Sequence, residues 1–210
     1  MRPLPRLHAV TDADIIALPD FPVRAAAIAA AGSAVALHAR DRTAGGAALA
    51  RVTTRLLALA RPPEASVFVN ARPDVAAALG AHGVQLGVGD LAPDEARAAF
   101  RACWTGWIGA SVHSAGEAAA GAAAGADFLL VGSVYPSASH PGRPPAGLSL
   151  ITSAAATGLP VIAIGGITPE RAREVRAAGG YGVAAISAAW RAEDPAAAAL
   201  ALLSPWVEDS

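Results

Sequence analysis

Eight short apolar runs alternate with eight alanine-rich, helix-patterned runs along this chain, and few folds can accommodate that order. The apolar runs are Leu7 to Thr11, Ser33 to Ala39, Ser66 to Asn70, Val84 to Leu86, Trp107 to Val112, Asp127 to Gly132, Pro160 to Ile164 and Val183 to Ser187. The helical runs between and after them are Phe21 to Ala31, Gly45 to Ala60, Pro73 to Ala81, Pro93 to Arg101, Ala115 to Ala124, Ser149 to Thr157, Pro169 to Ala178 and Pro195 to Leu203. Strands that are apolar without alternation are buried on both faces, as in a parallel sheet covered by helices. Eight such units predict one α/β domain over residues 1–210, a (β/α)8 TIM barrel of the smaller kind. The rival is an open doubly wound sheet, which carries a glycine fingerprint after its first strand. Here Thr11-Asp12-Ala13-Asp14 follows that strand instead.

Composition narrows the chemistry. The chain has 54% hydrophobic and 16% charged residues, too apolar for disorder. Its formal charge is -1 with no basic stripe, so nucleic acid is not an expected partner. No apolar run reaches membrane-spanning length, and Met1 to Asp12 lacks the apolar core of a signal peptide. A cytoplasmic location is therefore expected, which the lone Cys103 suits; its thiol reads as buried and structural. All 16 basic residues other than histidine are arginine. Without lysine, Schiff-base chemistry and an internal pyridoxal aldimine are impossible.

In a barrel of this kind, function sits in the loops after the strands. The polar residues there are Asp12, His38, Arg40, Arg42, Asn70, Arg72, Gln85, Asp90, Ser111, His113, Ser114, the stretch from Ser137 to Arg143, Gly165, Gly166 and Ser187. Some, Ser114 and Thr168 above all, read equally well as helix caps. Ile164-Gly165-Gly166-Ile167-Thr168-Pro169 is the clearest motif. Its glycines allow close backbone approach, and a helix begins at once, so backbone N–H groups can hold a phosphate. Ser187 and Ala188 after the last strand complete that expected site. His113, in Ser-Val-His-Ser, is the best-placed acid/base group, with His38 its competitor and His8 structural.

These segments together resemble the thiamine phosphate synthase superfamily over nearly the whole chain. The resemblance rests on Leu7-His8-Ala9-Val10-Thr11-Asp12, His38-Ala39-Arg40-Asp41-Arg42, Asn70-Ala71-Arg72-Pro73-Asp74, Gly83-Val84-Gln85-Leu86-Gly87, Ile108-Gly109-Ala110-Ser111-Val112-His113-Ser114, Gly125-Ala126-Asp127 and the glycine motif. One branch joins a pyrimidine diphosphate to thiazole phosphate with magnesium. The other, the TenI-type tautomerase, aromatises a thiazole carboxylate phosphate by moving protons. Against the synthase pattern, Ala71 replaces an acid, Arg42 replaces a lysine, and Pro136-Ser137-Ala138-Ser139-His140 lacks the loop lysine. Asp90 keeps the second magnesium-binding acid.

The resemblance, weighed on those departures, implies a thiazole tautomerase. His113 would be its catalytic acid/base group. His38, Arg40, Arg42, Asn70, Ser111 and Ser137 would bind substrate, and Gly165, Gly166, Ser187 and Ala188 its phosphate. The tautomerase needs no cofactor; magnesium, through Asp90, enters only with the synthase as the alternative. A non-catalytic sensor of thiamine precursors is the second alternative. The expected ligand is a small phosphorylated thiazole, with no nucleic-acid or membrane partner and with homo-oligomers left open.

Overall fold

The computed structural model describes residues 3–60, 64–137 and 144–207. Eight strands form a closed parallel barrel in sequence order: β1 (Leu7–Val10), β2 (Val35–Ala39), β3 (Ser66–Asn70), β4 (Gly83–Leu86), β5 (Trp107–Val112), β6 (Phe128–Gly132), β7 (Val161–Ile164) and β8 (Gly182–Ala185). The seam closes where Leu7 pairs with Val183 and Ala9 with Ala185. This is the single (β/α)8 TIM barrel that the alternation predicts.

The helices are α1 (Ala13–Ile16), α2 (Phe21–Ala29), α3 (Gly46–Leu59), α4 (Pro73–Leu79), α5 (Pro93–Phe100), α6 (Ala115–Ala123), α7 (Gly147–Ala155), α8 (Pro169–Ala177), α9 (Ser187–Trp190) and α10 (Pro195–Leu203). Their starts follow from local chemistry. Asp12, Ser114, Thr168 and Asp194 each accept a backbone N–H from the first turn they precede. Proline stands in the first turn of α4, α5, α8 and α10, where its fixed φ costs nothing. Helix α3 buries Leu49, Val52, Thr53 and Leu56, one stripe at helical spacing, against the strands.

Two apolar layers result. The larger lies between barrel and helices and includes Leu7, Leu37, Val69, Ile108, Leu129 and Val183. The smaller fills the barrel itself with Val10, Ala36, Phe68, Phe128, Leu130, Ile162 and Ala184. Phe68 and Phe128 meet edge to face at 5.8 Å, so the interior is a packed plug and not a channel. The plug forces ligands to the rim above it.

Two expectations are corrected here. Ser187 does not end a strand: β8 stops at Ala185, and Ser187 opens the short helix α9. Ile186, at φ -102 and ψ -86, breaks the extended run. Cys103 is exposed, because α5 ends at Phe100 and the chain turns through solvent before β5.

Candidate active site

One cavity of about 1350 Å³ opens at the carboxyl ends of the strands. Arg40, Arg42, Asn70, Asp90, Ser111, His113, Ser137, Gly165, Gly166, Ser187 and Ala188 all line it. Seven separate loops thus deliver these residues to one place, as the barrel requires. Residues 138–143, including His140 and Arg143, lie outside the described residues.

His38 is the exception. It does not line the cavity; it is fully buried one layer below, 3.0 Å from the Asn70 side chain through Nδ1. Its expected direct contact with substrate is therefore corrected to a contact through Asn70. The reason is register: His38 sits opposite Val10 in the interior layer, and the rim position on the same strand belongs to Arg40.

Arg40 is half-buried and held from behind. Its N–H donates to Thr11 Oγ1 at 2.9 Å, and that hydroxyl lies 2.9 Å from the carbonyls of both Arg40 and His38. Burial, then the charge of Arg42, depresses the Arg40 pKa, yet guanidinium stays charged at any working pH. Two cations thus share this wall, a costly arrangement that an anion would relieve.

The opposite wall is built from backbone. Gly165 has φ 101 and Gly166 φ 64. A Cβ on Gly165 would stand 2.8 Å from Ser133 Cα, and one on Gly166 2.5 Å from the Pro136 carbonyl. The two carbonyls are engaged: Gly165 O accepts Tyr135 N–H at 3.1 Å, and Gly166 O accepts the Arg171 guanidinium at 2.6 Å. Arg171 is itself stacked on Tyr135, whose hydroxyl donates to Glu174 at 2.6 Å. The turn is braced from outside, and its amide N–H groups remain for a ligand.

Between these walls, Gln85 Nε2 donates to Ser111 Oγ at 3.0 Å. His113 is exposed at the rim, with Nδ1 3.1 Å from Glu117 Oε2. The His113 backbone N–H, donated to the same carboxylate, holds the Glu117 pKa below the usual range. Ser114 caps α6, and Thr168 caps α8, as their alternative reading has it. Asp90, exposed, accepts Gly87 N–H at 2.7 Å. Ala71, just past the neighbouring strand β3, takes a left-handed φ of 62.

A profile of the family described as thiamine monophosphate synthase matches residues 7–189. The chain belongs to that family. A thiamine-phosphate synthase of Salinispora arenicola is 41% identical over 210 residues, covering 97% of this chain and 98% of that protein. One from Thermus thermophilus is 43% identical over 150 residues, 70% of this chain and 71% of its own. Among solved structures, a thiamine phosphate pyrophosphorylase from Pyrococcus furiosus superposes with a TM-score of 0.82 at 35% identity, covering 97% of this chain and 96% of that one.

These relatives overturn the tautomerase expectation, and with it the isomerase assignment. Similar proteins at 38% to 43% identity carry the synthase name. The departure from the synthase pattern at position 42 does not remove its charge. Arginine at position 42 keeps the cation that a lysine would supply, and it still faces the cavity beside Arg40.

The glycine turn gives a first expected result. Gly166→Ala places a side chain in a left-handed conformation costing roughly 1–2 kcal/mol and against the Pro136 carbonyl. If the turn holds a phosphorylated ligand, binding of that ligand, with thiazole phosphate as the probe, should weaken about tenfold. Calorimetric titration measures it, and an unaltered Kd would remove the turn from the phosphate site.

Proposed function

We propose that this chain is a thiamine-phosphate synthase. The reading is carried by one observation: a single cavity joins an arginine pair to a braced glycine turn, so two anionic groups can be held at once. The cavity volume, about 1350 Å³, exceeds the roughly 300–1,000 Å³ of a pocket for one small ligand. Gly165, Gly166, Ser187 and Ala188 take the thiazole phosphate through backbone N–H groups. Arg40 and Arg42 take the diphosphate of the pyrimidine partner.

The reaction requires little proton transfer. A bond forms between the thiazole ring nitrogen and the exocyclic carbon of the pyrimidine. The bond from that carbon to the diphosphate oxygen breaks, and the electron pair leaves with the diphosphate. Catalysis then rests on positioning two rings and stabilising the departing charge. His113 has no proton to abstract in this step; at the rim beside Glu117 it contacts solvent-facing parts of the substrates. Ser111 and Asn70 orient the ring between the two anchors, and Ser137 contributes from the sixth loop.

Magnesium belongs with this activity. Among the described residues no three His, Cys, Asp or Glu side chains gather into a metal-holding group. Asp90 alone, with alanine at position 71, fits an ion that arrives on the diphosphate, since magnesium is commonly held by one or two carboxylates plus substrate oxygens and water. When bound, it would neutralise negative charge on the leaving group. No helix of the described residues is long and apolar enough to cross a membrane, and the proposed ligands are two small phosphorylated rings.

The placement is testable with the reaction product. Thiamine phosphate added to ¹⁵N-labelled protein should shift the amide resonances of Gly165, Gly166, Ser187 and Asn70. The recess at the other end of the barrel, between His82, Trp104 and Trp107, should be unaffected. Shifts confined to that recess would contradict the assignment.

A further inference from the structure

Beneath the cavity floor, four groups form one line. The Pro5 carbonyl lies 3.1 Å from His8 Nε2. His8 Nδ1 lies 2.8 Å from His38 Nε2, and His38 Nδ1 lies 3.0 Å from the Asn70 side-chain position assigned as Oδ1, which a half-turn of the amide exchanges with Nδ2. Both imidazoles are fully buried. His8 meets Phe68 edge-on at 5.3 Å and Phe128 at 5.4 Å, while His38 stacks on Phe68 at 5.1 Å. Only the Asn70 end of the line reaches the cavity.

Donor and acceptor counting gives this line a direction. In so apolar a setting both rings are neutral, and burial depresses both pKa values, His38 to about 4. A neutral imidazole has one N–H and one lone pair. The Pro5 carbonyl only accepts, so the His8 proton sits on Nε2. His8 Nδ1 therefore accepts, and the His38 proton also sits on Nε2. His38 Nδ1 is then a lone pair, and the group facing it must be the Asn70 NH₂. The two ends of an amide exchange by a half-turn, and the hydrogen-bond network decides between them. The reverse order would set the His8 lone pair against the Pro5 carbonyl, two buried acceptors facing each other.

We propose that His8, acting through His38, is a positioning residue that locks the Asn70 amide with its oxygen toward the cavity. The site then accepts an N–H donor of the ligand at strand β3, such as an amino group on a heteroaromatic ring, and disfavours a ligand acceptor there. The amide orientation is independent of the synthase reading; the amino-bearing ring rests on it, through the pyrimidine partner. An asparagine on an open rim could turn to suit either ligand. Here the turn would set two buried acceptors against each other at one contact of the line, which holds the preference in place.

The test reads the rings directly. Long-range ¹H–¹⁵N correlation spectra of the ligand-free protein at neutral pH should show neutral Nε2–H tautomers for both His8 and His38. Either ring as Nδ1–H, or as a cation, overturns the proposal. The variant His8→Phe removes the acceptor for His38 Nε2–H. His38 should then switch to Nδ1–H and donate to Asn70 Oδ1, turning the amide round. A His8 that only fills space would leave the His38 tautomer unaltered, and that result also overturns the proposal. Should the variant fail to fold, the wild-type tautomers decide alone. With the tautomer switched, KM for the pyrimidine diphosphate should rise roughly tenfold. Switched tautomers with an unmoved KM would overturn the recognition of an N–H donor, while leaving the orientation standing. Absence of any synthase turnover would instead count against the function, since the spectra need no substrate.

Discussion

Arg40→Ala is expected to lower kcat for the condensation by about 10²–10³-fold, the usual cost of removing one pre-positioned group that stabilises developing charge. Thr11 fixes the chain that carries this group. Its hydroxyl accepts the Arg40 N–H and sits 2.9 Å from two neighbouring carbonyls, so the backbone that carries the guanidinium is fixed before any substrate arrives. The guanidinium itself is half-buried with Arg42 nearby, and both face the cavity. Charge on the diphosphate grows as its carbon–oxygen bond breaks, so the contact strengthens in the transition state and acts mainly on kcat. KM for thiazole phosphate should change little, because the anchor proposed for it is the glycine turn. Arg40→Lys should recover only part of the loss, since an ammonium cannot match two oxygens at once. Steady-state kinetics of both variants checks this; a kcat within about threefold of wild type for Arg40→Ala would sink the role.

The buried histidines set the second expectation, which concerns stability. His38 has a pKa of about 4 in the folded chain against 6.5 when exposed, and His8 is lowered as well. Burial is the first cause in both cases. A depressed histidine pKa means that the unfolded chain binds more protons between the two values. Stability is therefore full above pH 6.5 and falls as pH drops through 6.5 toward 4. His38 alone accounts for about 3 kcal/mol over that window, and His8 adds in the same direction. Urea unfolding midpoints measured from pH 7.5 to pH 4 should show this decline. A flat profile would mean that the pair is not buried and neutral. The exposed carboxylates with lowered pKa values, Asp41 and Glu117 among them, act only at the acid end of the range.

The barrel was legible because its signal is repeated and local. Strands buried on both faces show as unbroken apolar runs, and capping residues such as Ser114, Thr168 and Asp194 mark the helix starts in the letters themselves. Helices α1 and α9 show no helical pattern in the letters, although Asp12 caps α1. Each has four residues, too few to show a period, and Val183 to Ser187 reads as one apolar run until Ile186 turns the backbone. The rim residues were legible through the fold, since a residue ending a barrel strand can only face the cavity or a helix. The His8–His38–Asn70 line was not. Its partners are 30 and 32 residues apart, and their contact depends on the register that sets Val10 beside His38. Strand parity held a usable clue: His8 shares its face with Val10, and His38 shares its face with Ala36, all interior. The activity was less legible for a different reason. Ala71 and Arg42 depart from the synthase pattern in residue type, whereas one carboxylate and an arginine pair can meet the same electrostatic need.

On the proposed function, two phosphorylated rings are joined at the cavity rim. Purified protein incubated with the pyrimidine diphosphate, thiazole phosphate and magnesium tests it most directly, with both products followed by mass spectrometry. Thiamine phosphate and diphosphate should appear in equal amounts, and only when both substrates are present. Thiazole phosphate bound at the glycine turn, with no condensed product and no diphosphate released, would contradict the account.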